Sequence, residues 1–348
     1  MVTVKRFGAA AQLLSELVSE ILQYLRDFGV DLEALSHDPA ATLSAIGDVI
    51  IVFVDPATLP RHCPVSACYD ASSNPPRLLV SHDATAGRRA FSVLHEYAHH
   101  LRSHVTPVVD AFWALPDGGV SIEEDLADAF AAAVLLPANT VIDAFANGVT
   151  AEAVAGLWHV SSASREACCV AAANNLAGPG YVMLLDCGGT ARFTARHGDA
   201  FSVRRDTQQT AVTLTAALRG GKSRGVDTPR YASGVTAGPM HVDAVADGDY
   251  VFAVWVTDSP PWGGLSTPLR TGPTGVEGYC DNCDREFMAW TGTCRECGEP
   301  RCPNCGNCGC EHGVKASSSS VRSRQCDRCF LVLPLSMFAR GSATCNDH

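Results

Sequence analysis

Positive charge is scarce in this chain. Lys and Arg number 26 against 37 Asp and Glu, a formal net charge of −11. That balance argues against a nonspecific nucleic-acid binder working by counterion release, although a local basic patch is compatible with it. Long apolar runs are missing too, and no stretch approaches the roughly 20 residues that span a bilayer. The start, M-V-T-V-K-R-F-G, leads into no signal-peptide core. It leads into Leu13, Leu14, Leu17, Val18, Ile21, Leu22 and Leu25, interrupted by Ser15, Glu16, Ser19 and Glu20, the pattern of an amphipathic helix. A cytoplasmic location is the expectation, and there clustered cysteines mean metal rather than disulfides. With 47% hydrophobic and 18% charged residues over 348 positions, the chain is globular and long enough for two or three domains.

What the sequence does hold is centred on H-E-Y-A-H, His95 to His99. Residues four apart on an α-helix differ by about 40° of rotation, so His95 and His99 present two imidazoles to one point. Glu96, one position round, can hydrogen-bond a metal-bound water without being a ligand, as a general base does. Phe91, Leu94, Ala98 and Leu101 form an apolar stripe on a distinct side, so this helix can dock on a core while holding metal. Downstream, E-D-L-A-D-A-F-A-A-A-V-L-L-P implies a second helix with Glu124 and Asp128 four apart and Ala127, Phe130, Ala131, Val134 and Leu135 as its packing face. Catalytic zinc wants three protein ligands and an open position, which Glu124 would complete. Asp128 could then accept the spare N–H of a ligand imidazole. The competing reading makes Glu123, Glu124, Asp125 and Asp128 a solvated acidic helix start, favoured by the helix dipole.

These two motifs, R-R-A-F-S-V-L-H-E-Y-A-H-H-L and E-D-L-A-D-A-F-A-A-A-V-L-L-P, resemble those of the ImmA/IrrE family of zinc metallopeptidases, over about residues 40–180. The resemblance implies an HExxH endopeptidase with His95, His99 and Glu124 on catalytic zinc and Glu96 as acid/base. It also implies a protein substrate such as a transcriptional repressor in a mobile element or stress response, commonly encoded beside the peptidase. The implied fold class is α+β: a mostly helical zincin-like domain over residues 1–178 with a small sheet whose edge receives extended substrate.

The run D-V-I-I-V-F-V-D, Asp48 to Asp55, and Leu78 to Val80 read as buried strands. His82, His104 and Tyr97 lie near the motif, where each could donate to an oxyanion or simply be structural. Residues 150–176 have helix-turn-helix spacing with a turn at Trp158 to Ser161, but only Arg165 carries fixed positive charge there, too little for a DNA-recognition helix. Residues 179–258 alternate in short runs, a β-rich or α+β candidate sensor domain. Residues 259–278 are a Pro/Gly linker.

Residues 279–348 hold eleven of the 16 cysteines. Cys280-x2-Cys283 and Cys294-x2-Cys297 have the spacing of a zinc ribbon, four thiolates on one structural zinc. Cys302, Cys305, Cys308, Cys310, His312, Cys326, Cys329, Cys345 and His348 could ligate two more. One scheme joins Cys326, Cys329, Cys345 and His348, while a cross-braced scheme pairs Cys302 and Cys305 with Cys326 and Cys329. So short a segment with few large apolar residues needs metal staples. The expectation is one catalytic and two or three structural Zn2+, with the ribbons as contacts to protein or nucleic acid. The alternative function is a non-proteolytic regulator, antirepressor or toxin–antitoxin component that binds through the fingers.

Overall fold

The computed structural model describes residues 2–59, 67–115, 117–198, 203–257, 260, 276–283, 285–289, 293–308, 323–326, 328, 332–334, 344 and 345. Most of the expected 259–278 linker, and Cys310, His312, Cys329 and His348, lie outside them. The protein is α+β and divides into two compact units, Met1–Val141 with Trp158–Ala167, and Ile142–Leu157 with Cys168–Asp347.

The first unit begins with α1 (Val2–Asp27), which buries Leu14, Leu17, Val18, Ile21 and Leu25 along one stripe. Next come α2 (Leu32–His37) and α3 (Pro39–Ile46), N-capped by Asp31 and Asp38, whose carboxylates accept backbone N–H groups. Strands β1 (Ile50–Val54), β2 (Ala67–Asp70) and β3 (Arg77–Ser81) form a sheet in the order β1-β3-β2, parallel in the first pair and antiparallel in the second. Helix α4 (Ala86–Arg102) carries the HEYAH motif, and after α5 (Thr106–Ala114) helix α6 (Glu123–Leu135) packs on it.

One feature of α4 departs from expectation. Instead of an apolar stripe opposite a polar face, residues 92–98, His100 and Leu101 are all buried, because α4 lies between the sheet and α6. Its polar side chains tolerate this by pairing: the Tyr97 hydroxyl donates to Asp48 Oδ2 at 2.7 Å, and His100 Nδ1 lies 3.2 Å from the Tyr69 hydroxyl.

The approach to α6 depends on Gly119. Its φ is +83°, and a Cβ there would overlap the Phe112 ring. Gly119→Ala should therefore cost the first unit on the order of 2–4 kcal/mol from left-handed strain plus overpacking. The start of α6, with Glu123 and Glu124, should be displaced along with it. Chemical denaturation checks the first effect and metal content the second; an unchanged midpoint would contradict this account.

Helix α7 (Ala138–Ala144) follows, and then α8 (Ala151–Val160) and α9 (Arg165–Asn174) occupy the expected helix pair. In the second unit, β4 (Gly180–Asp186), β5 (Ala191–His197), α10 (Val212–Gly220), β6 (Lys222–Asp227), β7 (Met240–Asp247) and β8 (Tyr250–Val256) make an antiparallel sheet ordered β5-β4-β8-β7-β6. Buried Asp243 on β7 accepts the Ala151 backbone N–H at 2.8 Å and pairs with Arg224 at 2.9 Å. Tyr181, Met183, Leu185, Val242, Ala244, Val251, Ala253 and Trp255 share one buried cluster with Leu214 and Ala217 of α10.

The cysteine-rich segment adds the hairpin β9 (Val276–Cys280) and β10 (Arg285–Ala289), and the short pair β11 (Ser323–Gln325) and β12 (Val332–Pro334). It does not stand apart as a free module. Cys280, Phe287, Ala289 and Cys302 belong to the same buried cluster as the five-stranded sheet. No single helix among the described residues is long and apolar enough to cross a membrane.

Candidate metallopeptidase site

Helix α4 delivers His95 and His99 one turn apart, and their Nε2 atoms stand 3.4 Å from each other. Glu124, from the first turn of α6, completes the group, with Oε2 at 3.2 Å from His95 Nε2 and Oε1 at 3.6 Å from His99 Nε2. Two nitrogens at about 2.0–2.1 Å from a tetrahedral ion must lie about 3.3–3.4 Å apart, so this donor set fits zinc. His95 is buried while Glu124 is exposed, so the group opens to solvent on the carboxylate side.

Both imidazoles are held from behind. His95 Nδ1 donates to Asp128 Oδ1 at 2.9 Å, the contact expected of Asp128. His99 Nδ1 donates to Glu123 Oε1, also at 2.9 Å, which the sequence reading missed. Asp128 lies beyond Glu123 on α6 but faces His95, which precedes His99 on α4, whereas Glu123 faces His99, so the helices run antiparallel. That crossing was the missing signal, because in antiparallel neighbours the residue before Glu124 is the one that reaches His99. Burial alone would lower the His95 pKa, but hydrogen bonds to Asp128 and Glu124, helped by the charges of Asp128 and Glu96, push it up to about 10.

Glu96 is 5% exposed, and burial pushes its pKa up against the opposing charges of His95 and His99. The Tyr69 backbone on β2 acts in the same lowering direction, more weakly. Tyr97 points away from the metal group to Asp48, His82 Nδ1 lies 2.8 Å from Val54 O, and His104 Nδ1 lies 2.7 Å from His100 O. All three are engaged structurally.

Residues 63–168 match the peptidase M78 family model, the IrrE N-terminal-like domain. The match takes in His95, Glu96, His99, Glu123, Glu124 and Asp128 and supports a peptidase. No curated protein matches the chain. Eleven solved chains do, among them a Mycobacterium tuberculosis transcriptional regulator at 17% identity and a TM-score of 0.39, over 69% of this chain and 75% of that one.

Outside the IrrE-like segment, the cysteines gather differently from the ribbon expectation. Cys280 and Cys283 meet Cys302 and Cys305, not Cys294 and Cys297, which instead meet Cys308. The physical reason is a second small loop: Thr293 bridges Pro300, and Cys294 N–H donates to Glu299 O at 2.8 Å. This loop carries the Cys294–Cys297 turn away and returns the chain to Cys302 beside Cys280. In the first group, Sγ separations of 3.5 Å (Cys280–Cys305) and 3.8 Å (Cys302–Cys283) suit thiolates at about 2.3 Å from one tetrahedral ion. Asn304 Nδ2 donates to Cys283 Sγ at 3.2 Å, and Arg204 Nη2 donates to Asn304 Oδ1 at 3.1 Å, tying this group to the sheet domain. In the second group, backbone N–H groups of Cys297 and Glu296 bring the Cys294 thiol down to about 6. Buried Cys326 Sγ accepts the Cys345 N–H at 3.3 Å, whereas Cys329 and His348, expected beside them in one scheme, lie outside the described residues.

Proposed function

We propose that the chain is a zinc-dependent endopeptidase that hydrolyses a peptide bond in a regulatory protein such as a transcriptional repressor. The observation that carries this reading is the convergence of His95, His99 and Glu124 on one point with the buried carboxyl of Glu96 beside it. The match of residues 63–168 to a peptidase family supports it. His95, His99 and Glu124 would hold the zinc. When bound there, zinc supplies a Lewis acid that acidifies water and polarises a carbonyl. Glu96 removes the proton from the attacking water and returns it to the leaving amine, a role suited to a carboxyl whose pKa burial has raised. Asp128 holds the His95 imidazole in the tautomer that leaves Nε2 free.

Substrate entry follows from β2. Its one strand partner among the described residues is β3, and its Tyr69 backbone lies close to Glu96. An extended peptide laid along that edge passes the general base. The cysteine groups would take structural zinc, and the protein contacts they offer would recruit the target.

The test is incubation of zinc-loaded protein with candidate regulators, transcriptional repressors from its own genome first, reading new termini by mass spectrometry. A single dominant cleavage is expected, abolished by a chelator and restored by zinc. Cleavage that survives complete removal of zinc, or an intact regulator under all loadings, would overturn the reading.

A further inference from the structure

Behind His99 stands more than a hydrogen-bond acceptor. Glu123 uses one oxygen for His99 Nδ1, and its other oxygen, Oε2, lies 2.7 Å from Arg102 Nη1. Arg102 is three residues beyond His99 on α4, so a single carboxylate from α6 is clamped between two groups on one turn of its neighbour. The arginine is itself fixed, its guanidinium carbon 5.6 Å from the Phe112 ring centroid. The Glu123 and Arg102 side chains are 23% and 35% exposed, enough to be partly withdrawn from competing water. His95 is supported differently, since among the described residues no arginine sits on Asp128.

We propose that Glu123, oriented by Arg102, is a positioning residue for the metal: it fixes the His99 tautomer and aims Nε2 at the ion. This rests on the zinc-peptidase reading above. Without Glu123 the His99 ring can rotate or take the other tautomer, whereas Asp128 continues to hold His95. The two carboxylates are therefore not redundant, and losing either should weaken metal binding by itself.

The experiment uses the full chain and cobalt(II) as a spectroscopic stand-in for zinc, whose sulfur charge-transfer bands mark the thiolate sites and leave the His-site ion to be followed separately. Affinities are then measured by chelator competition with zinc. Glu123→Gln should weaken the His-site ion roughly tenfold to a hundredfold. Glu123→Met, of similar length with no acceptor, should weaken it further, and Arg102→Met should weaken it less. The metal-free proteins should unfold at the wild-type urea midpoint, a readout that a merely structural role would move. Affinities of Glu123→Gln and Glu123→Met within about twofold of wild type would overturn the proposal. A His99→Ala control distinguishes the two readings: if it keeps the His-site ion unchanged, the metal-site reading itself fails, whereas its loss alongside unaffected Glu123 variants condemns only the role of Glu123.

Discussion

Glu96→Gln is expected to lower cleavage of the target by at least about a hundredfold while leaving zinc bound. The substitution keeps the size of the side chain and its reach toward the Tyr69 backbone but removes the ability to carry a proton between water and leaving amine. His95, His99 and Glu124 are untouched by it, so metal content should match wild type. Glu124→Ala should separate from it by lowering metal affinity as well as cleavage, since it removes one of three donors. The paired measurement is zinc content and cleavage for wild type and both variants. Full regulatory activity in a zinc-loaded Glu96→Gln protein would end the peptidase reading and favour a chain that acts by binding alone.

The second large effect is predicted far from that site. Cys302 is fully buried and belongs to both the first cysteine group and the cluster that covers Tyr181, Met183 and Trp255. Cys302→Ser would replace a thiolate donor by a poor one in a segment that structural zinc is proposed to hold together. It should destabilise the five-stranded sheet by on the order of 4 kcal/mol or more. Hydrogen exchange of β4 and β8 amides reads this directly. Cys297→Ser is the matched control: Cys297 is exposed and lies in the other group, so its loss should spare the sheet. Wild-type protection of β4 and β8 in Cys302→Ser would show that the sheet stands without the staple. By the same reasoning, removing residues 277–348 should expose Met183 and Trp255 rather than release an independent module.

The candidate site residues were legible because their spacing is local. His95 and His99 share a helix at a spacing of four, as do Glu124 and Asp128, and a helix turns such spacing into a common face whatever surrounds it. Glu123 and Arg102 were not legible, because their pairing exists only once α4 and α6 cross antiparallel. Strand β3 was read from an apolar run and is largely buried, whereas β1, expected as a buried strand, lies at the sheet edge with Ile50 and Phe53 exposed, and β2, with Cys68, Tyr69 and Asp70, carries no such run and is defined by pairing with β3. The cysteines show the same limit more sharply. Each Cys-x2-Cys turn is local and was recognisable, but which turns meet depends on the loop closed by Thr293 and Pro300.

The burial of α4 on nearly every side has a mechanical meaning. Tyr97 and His100 are tied to Asp48 and Tyr69, and His95 and His99 to α6, so the helix is gripped at several azimuths around its axis. Side-chain tips ride about 5–6 Å from a helix axis, and a roll of about 10° therefore sweeps a ligand nitrogen through about 1 Å. Displacements of that size can cost a hundredfold in rate. Tyr97 and Asp48 thus act as the far end of a lever: without touching the reacting atoms, they set the angle at which His95 and His99 arrive.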